Sequence, residues 1–399
     1  MSSDLRGVFV KRRAALLLSA IVWLIGCQEQ VDSHRERALE VAREALGRER
    51  LHEFEYDRVR AAGILLDEGS VEGEEVLIEA LTSGAETGRQ AAVGAVLAVR
   101  GRKAMDWFGR ISSQNEELKR AVLEGLRFNP RLDSADVIRE GIVSSDPKHQ
   151  VAALDAAALV GDPSLLPLIE EKMVTLDDGR MRAYAAWAAA SLGSQRLEAW
   201  IGENVRSKLD LQREVAAACL GFIDSEWGAI ELERLRFDPQ PRIRIAAAAS
   251  QIRHGVTDAK KYLTQQVLGN DDRLAEIAAG AVKRTNPHYV AELAEFVLSD
   301  PGVEWKPAGK VFEALGWARE AEARGALERA LSPERHEEVR LQSIWAIGWR
   351  GRSDERDLLE PLMEDTSVAI RVMAAWAWLY NKSGGYAEGT GFLSSDRSF

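Results

Sequence analysis

The stretch VRLQSIWAIGWRG, Val339–Gly351, carries the pattern that decides the fold. Its apolar residues recur every three or four positions, which predicts an amphipathic helix. Related segments recur along the chain at steps of 29 to 33 residues. We align them on the position of Arg340 and call that position the marker. There are eleven markers: Arg60, Gln90, Lys119, Gln150, Arg182, Arg213, Arg244, Ala275, Ala308, Arg340 and Arg371.

Each marked segment is rich in alanine and leucine, and a second amphipathic segment follows it, such as EEVLIEALTSG or SLLPLIEEKMV. Turn signals such as Asp238-Pro239 and Asp300-Pro301 separate the units. Two helices per ~31 residues predict an all-α chain folded as an α-solenoid. The pattern VRxxAAxALGxxGDP…LLPLIEEL resembles the HEAT-like repeat named after phycobilisome lyases, over residues 57–381. We therefore expect about eleven two-helix repeats in a stack roughly 100 Å long.

The two ends of the chain differ from the repeats. Lys11, Arg12 and Arg13 precede a short apolar run, 14–25, which is typical of a secretory signal rather than of a membrane span. The sequence Leu-Ile-Gly-Cys at 24–27 resembles a bacterial lipobox, in which Cys27 becomes the lipidated first residue. An uncleaved membrane anchor is the alternative. The expected segments are a signal peptide (1–26), a tether (27–33), a capping helix region (34–56), the solenoid (57–381) and a Gly/Ser-rich tail (382–399).

Composition limits the partners. The net charge is -11 with 29% charged residues, which suits neither nucleic acid nor an anionic membrane surface. Once Cys27 carries lipid, only Cys219 remains, so an intrachain disulfide is excluded. Gln28 replaces the aspartate that retains lipoproteins at the inner membrane of enteric bacteria. We therefore expect an exported bacterial lipoprotein of the cell envelope, on the periplasmic side of the outer membrane.

The aligned repeats can be read as columns, with the residue before the marker as column one. Column eight is small throughout, from Val96 and Gly125 to Ala346 and Ala377, so we expect it to be buried between helices. Cys219 belongs to this column and is expected to be an inert core thiol. Column seven mixes charged and small residues with tryptophans, which indicates a solvent-facing position, and column eleven lies between the two faces.

Aromatic residues of columns seven and eleven concentrate in the last three repeats. Six of the eleven tryptophans follow residue 300. The resemblance to HEAT-like stacks implies that the marker helices line the concave surface, where aromatic residues usually mark an interaction site. The candidate partner-binding residues are Trp317, Trp345, Trp349, Trp376 and Tyr380, with Trp187 as an isolated outlier. We expect Trp345 to point outward and Trp349 to pack partly against a neighbouring repeat. The alternative is that the tail covers this strip with Tyr386, Phe392 and Phe399.

The marker arginines have a structural explanation. Asp238 lies six residues before Arg244, and Asp365 lies six before Arg371. This spacing favours pairing between arginines and turn aspartates of different repeats. The same role is expected for the whole set: Arg60, Arg182, Arg213, Arg244, Arg340 and Arg371.

Patterns that carry chemistry are missing from the sequence. The six histidines show no metal-ligand spacing. One HEAT-like family, deoxyhypusine hydroxylase, binds two irons through four His-Glu pairs, but this sequence offers only His52-Glu53 and His336-Glu337. Phycobilin lyases act in the cytoplasm, and HEAT-like DNA glycosylases need a basic groove. We expect no enzyme activity, no cofactor and no metal.

These patterns together favour a scaffold or assembly factor, monomeric and tied to a membrane through lipid on Cys27. Its concave surface would bind another protein of the cell envelope, through a segment with apolar and basic side chains. A glycan-binding module, with tryptophans stacking on cell-wall sugars, is the alternative. An enzyme is a distant third.

Overall fold

The computed structural model describes residues 32–47, 55–83, 86–97, 103–112, 115–126, 132–300, 302–318 and 323–382. Within these ranges every regular element is a helix and none is a strand, which confirms the all-α prediction. No helix among them is long and apolar enough to cross a membrane. The expected signal peptide, Cys27 and the tail from 383 onward lie outside the described residues.

The helices form two layers that alternate along the chain. The marker helices make one layer: α2 Glu55–Asp67, α4 Glu86–Leu97, α6 Glu116–Gly125, α8 Pro147–Val160, α10 Gly179–Ser191, α12 Asp210–Cys219, α14 Pro241–Arg253, α16 Asp272–Val282, α18 Trp305–Leu315, α20 Glu337–Arg350 and α21 Val368–Lys382. The second layer contains α1 (32–46), α3 Val71–Ser83, α5 Lys103–Ser112, α7 Ala135–Val143, α9 Leu166–Thr175, α11 Leu197–Asn204, α13 Glu226–Leu235, α15 Thr257–Val267, α17 Pro287–Ser299 and α19 Ala323–Ala330. In the tenth repeat, 3-10 turns at Ser353–Leu358 and Pro361–Glu364 take the place of a second-layer helix.

Small residues set the spacing within the marker layer. Column eight is buried as predicted; Ala346 and Ala377, for example, have no exposed surface. Neighbouring helices approach so closely here that a Cβ at Gly348 would lie 2.9 Å from the Cα of Ala377. Side chains larger than valine would push the repeats apart, so this column explains the steady packing of one repeat on the next.

The marker layer closes on itself, because α21 packs against α2. One hydrophobic cluster runs from α2 through the early repeats to α14, and a second runs from α14 to α21 and back to Ile64 and Leu65 of α2. The two clusters therefore meet twice, as they must in a ring. The expectation of an open stack roughly 100 Å long is wrong, because the curvature of eleven repeats brings the first helix to the last.

Helix α1 seals this ring. Its buried residues Ala38, Val41 and Ala42 belong to the same cluster as α21. Arg37 donates from Nε to Oε1 of Glu364 at 2.6 Å, and Arg35 pairs with Glu68 just beyond α2. The prediction that this helix caps the first repeat is thus incomplete. It stands where the second helix of the eleventh repeat would stand, since no helix follows α21 among the described residues.

Candidate functional site

The inner face of the ring is formed by columns seven and eleven. Column nine points toward the second layer and is fully buried, as at Leu220, Leu315 and Ile347. Neighbouring marker helices contact one another more extensively than second-layer helices do, so the marker layer lies inside. The implication drawn from the resemblance, that marker helices line the concave surface, is therefore confirmed for the described helices.

The five aromatic residues predicted from the sequence form one continuous cluster on this face. Trp345 and Trp349 stack with ring centroids 5.3 Å apart, and Trp317 lies 5.0 Å from Trp349 on its other side. Trp349 also faces Tyr380 at 6.4 Å, and Tyr380 stacks on Trp376 at 5.0 Å. A spacing of four residues places Trp345 and Trp349 on one face of α20. Equivalent positions in the preceding and following repeats add Trp317, Trp376 and Tyr380, so the side chains come from three successive repeats. We call these five residues the aromatic cluster.

Exposure divides the aromatic cluster into a base and a rim. Trp349 is 2% exposed, Tyr380 4% and Trp376 8%, so these three rings are core. Trp317 and Trp345 are half-buried and form the rim. The expectation that column seven faces solvent is wrong for Ala218, Ala249 and Trp376, which are all buried. At Trp376 the reason is ring closure, which places α2 beside the ring. Trp349, expected at an edge, is fully packed.

A hollow adjoins the base of the aromatic cluster at the seam between α21 and α2. Its walls are mainly apolar, with one carboxylate. It is lined by Gly63, Ile64, Asp67, Ala95, Trp376, Leu379 and Tyr380. Since the seam forms only when the ring closes, no sequence pattern within one repeat could have predicted this hollow.

The marker arginines pair with turn aspartates, but in a different order from the predicted one. Arg213 donates from Nε to Oδ2 of Asp238 at 2.9 Å, and Arg340 pairs with the carboxylate of Asp365. The arginine six residues after each aspartate binds backbone instead: Arg244 Nη1 donates to the carbonyl of Asp238 at 2.8 Å. Arg371 does the same at Asp365, at 2.6 Å. Each turn is therefore clamped from both sides.

These clamps change the acidity of the turn carboxylates. Burial alone would raise the pKa of Asp238, but hydrogen bonds from Arg213 and from the backbone N–H of Gln240 outweigh it and lower the pKa. The pKa of Asp365 is lowered in the same way by Arg340 and the N–H of Ser367.

Two other marker arginines depart from the inter-repeat pattern. Arg60 lies 3.7 Å from Asp57 of its own helix. Arg182 has no side-chain hydrogen bond or ion pair to any described residue.

Trp187, the predicted outlier, belongs to a second group on the inner face. Its ring meets Phe222 edge-on at 5.8 Å. The guanidinium of Arg253 lies 4.6 Å from the Phe222 centroid, and that of Arg284 lies 5.8 Å from the Trp187 centroid. Arg284 stands three repeats after Trp187, so the inner space is narrow here. The sequence signal for this group was two successive arginines in column eleven, which we did not assign to a site.

Residues that the sequence analysis set aside as non-catalytic lie in structural positions. Burial raises the pKa of the Cys219 thiol, which agrees with an inert core residue. His336 caps the start of α20 and stacks on Trp305 at 4.9 Å. His52-Glu53 lies outside the described ranges. Within those ranges no three His, Cys, Asp or Glu side chains are grouped to hold a metal ion.

The sequence analysis also missed a buried ion pair. Arg350, the last residue of α20, donates from Nη2 to Oε1 of Glu355 at 2.8 Å, and both side chains are fully buried. Arg350 Nη1 also reaches the carbonyl of Leu315 in the preceding repeat. The pair fixes the turn that replaces the second-layer helix of the tenth repeat.

Fold and site together define a ring-closed α-solenoid of HEAT-like two-helix repeats whose inner face carries aromatic side chains. No protein-family model matches the chain, and no curated protein matches it. Among solved structures it is similar to human deoxyhypusine hydroxylase in complex with glycerol, at 14% identity and a TM-score of 0.32, over 80% of this chain and 99% of that one.

Two further solved structures show the same degree of likeness. One concerns Kap95p and RanGDP, at 14% identity and TM-score 0.32, covering 90% of this chain and 57% of that one. The other is Kap121p bound to Nup53p, at 13% identity and TM-score 0.32, covering 86% and 45%. The chain thus spans about half the length of these two proteins. Superposition this loose carries no argument about what the chain binds.

Proposed function

We propose that this chain is a binding protein of the bacterial cell envelope, anchored by lipid on Cys27, which holds a segment of another protein on its inner face. It performs no chemistry of its own. The observation that carries the proposal is the rim of the aromatic cluster. Trp317 and Trp345 are only half-buried, whereas the other three rings of the cluster are buried. Partly exposed tryptophans over a rigid apolar base are typical of binding hot spots.

The geometry favours an extended segment over a folded domain as the partner. Side chains three repeats apart meet across the inner face at Trp187 and Arg284, so there is little room for a globular body. Asp67 lines the apolar hollow beside Trp376 and Tyr380. The aromatic walls of the hollow, in a chain with a net charge of -11, suit a side chain with an apolar stem and a basic end, as in lysine or arginine.

Site-specific photo-crosslinking tests the partner site. A photoreactive phenylalanine analogue replaces Trp345 on the inner face or, as a matched control, Trp227, which is 39% exposed on the second-layer helix α13. Intact cells are irradiated, and the products are separated by mass. A discrete protein adduct at 345 that is absent at 227 supports the proposal. Adducts at both positions, or none, contradict it, and a diffuse carbohydrate-bearing product at 345 points to the glycan alternative.

A separate experiment tests the anchor. Cells are fed a clickable palmitate analogue, and the wild type is compared with Cys27→Ala. Label on the wild type alone, with a Cys27→Ala chain that keeps the larger mass of its signal peptide, supports lipidation and export. An unlabelled wild type contradicts both.

A further inference from the structure

The rim of the aromatic cluster keeps apolar surface that its neighbours do not cover. Trp345 stacks on Trp349 with ring centroids 5.3 Å apart, and Trp317 meets Trp349 at 5.0 Å. Trp345 also lies across the backbone of Gly316, where a Cβ would come within 2.8 Å of the ring. These contacts leave both rim residues half-buried. A half-exposed tryptophan offers a large apolar surface, which is more stable when it is covered.

The chain leaves the fold beside this rim. Tyr380 is itself a member of the aromatic cluster, and α21 ends two residues later at Lys382. Trp345 is two ring contacts from Tyr380, at 6.4 Å from Tyr380 to Trp349 and 5.3 Å from Trp349 to Trp345. Four extended residues span about 13 Å. The segment after Lys382 can therefore reach the rim by its fourth residue, Tyr386.

The composition of residues 383–399 suits this position. Three aromatic residues, Tyr386, Phe392 and Phe399, stand among four glycines and four serines. Aromatic rings pair favourably with one another in stacked or edge-to-face arrangements. Glycine adds no side-chain bulk and accepts tight turns, which matters because Trp187 and Arg284, three repeats apart, meet across the inner face. A thin segment with aromatic anchors fits such a space better than a globular body.

The covalent link favours this contact even when each ring contact is weak. A segment joined to its site by a short linker has an effective concentration in about the millimolar range. A segment of another protein lacks this advantage, so it must bind more tightly to take the same place.

We infer that residues 383–399 bind across the rim of the aromatic cluster in the free protein, with Tyr386 packed on Trp345. This segment is then a built-in competitor for the inner face, and an external segment binds by displacing it. The contact between the segment and the rim requires no other protein. Its role as a competitor rests on the proposed function.

Photo-crosslinking in the purified full-length chain tests the contact directly. The photoreactive phenylalanine analogue stands at 345, no other protein is present, and the irradiated chain is digested with trypsin. We expect a product that joins residues 341–350 to residues 383–397, which are the tryptic peptides that contain position 345 and most of the terminal segment. Before digestion, the crosslinked chain should keep the mass of a monomer.

Matched variants make the result specific. The analogue at 227, on the second-layer helix α13, should give no link to residues 383–397. With the analogue at 345, Tyr386→Ser should lower the yield several-fold, whereas Thr390→Ser should leave it unchanged because no aromatic ring is lost. Absence of the product, an equal product from position 227, or a yield that Tyr386→Ser does not change would overturn the inference.

The same probe in intact cells separates this inference from the proposed function. A chain that ends at Lys382 should give more of the partner adduct at 345 than the full chain, because its rim has no competitor. An equal adduct from both chains would overturn the displacement. The intramolecular product without a partner adduct from either chain would support the inferred contact and contradict the proposed function. A partner adduct without the intramolecular product would do the reverse.

Discussion

A carboxylate placed at Ala42 tests whether α1 closes the ring. Ala42 is fully buried in the cluster shared by α1, α2 and α21. An unpaired buried charge costs about 3–5 kcal/mol. The partly exposed pair of Arg37 and Glu364 contributes only about 0.2–1 kcal/mol. The burial of Ala38 and Val41 also holds α1, so Ala42→Asp should shift the equilibrium between docked and released α1 toward release.

The release has a measurable size. A compact body of about 350 residues has a radius of gyration of about 20 Å, whereas an open stack about 100 Å long has one of about 30 Å. Small-angle X-ray scattering of a soluble chain beginning at residue 28 should give the wild type a value near the lower figure. The value for Ala42→Asp should move toward the higher one while circular dichroism remains helical.

The control is Ser33→Asp, which adds the same charge to the same helix at an exposed position. It should scatter like the wild type. A wild-type radius near 30 Å would refute the closed ring. An Ala42→Asp protein that keeps the wild-type radius, and keeps α1 protected from protease, would refute the assignment of α1 as the seal.

Three further predictions concern stability. Glu355→Gln leaves the fully buried Arg350 without its counter-charge and should lower the free energy of unfolding by about 3–5 kcal/mol in urea titrations; an unchanged midpoint would contradict the ion pair. The lowered pKa of Asp365 contributes stability that is present above the ordinary value of 3.8 and lost as pH falls through the folded-state pKa. Melting temperatures between pH 7 and pH 3 should therefore fall less for Asp365→Asn than for the wild type, and parallel curves would exclude the clamp with Arg340. Trp349→Ala empties the base of the aromatic cluster and should cost about 3–5 kcal/mol, whereas a cost under 1 kcal/mol would mean that the ring is not packed as described.

Local packing could be predicted from the sequence because the same helix–helix contact recurs in every repeat. The small residues of column eight, Ala346 and Ala377 among them, must touch the preceding helix wherever the unit recurs, so alignment alone indicated their burial. The clustering of Trp345 and Trp349 followed equally from a spacing of four residues in a helix. Both features depend on contacts within one repeat or between two neighbouring repeats. An alignment of the eleven repeats shows such contacts many times over.

Ring closure could not be predicted in this way, because it depends on the sum of many small rotations. A ring of eleven repeats needs about 33° of turn per repeat, and an error of a few degrees in each would leave the ends far apart. The seam contacts, such as Arg37 with Glu364 and Ala42 with α21, occur once in the chain and join residues more than three hundred positions apart. The burial of Trp376 in column seven could not be predicted for the same reason, since α2, which covers it across the seam, belongs to the first repeat.

Closure also changes what the inner face can do. Column eleven carries Arg253, Arg284, Trp317, Trp349 and Tyr380 in five consecutive repeats. On an open stack these side chains would lie on a broad, hydrated surface, where a guanidinium attracts an anion by only about 1 kcal/mol at contact distance. In the narrow ring they lose water, and the same charge acts in a medium of lower dielectric constant. The burial of these arginines and tryptophans thus has one cause: the closed curvature turns polar and aromatic positions of an ordinary repeat into a partly dry interior.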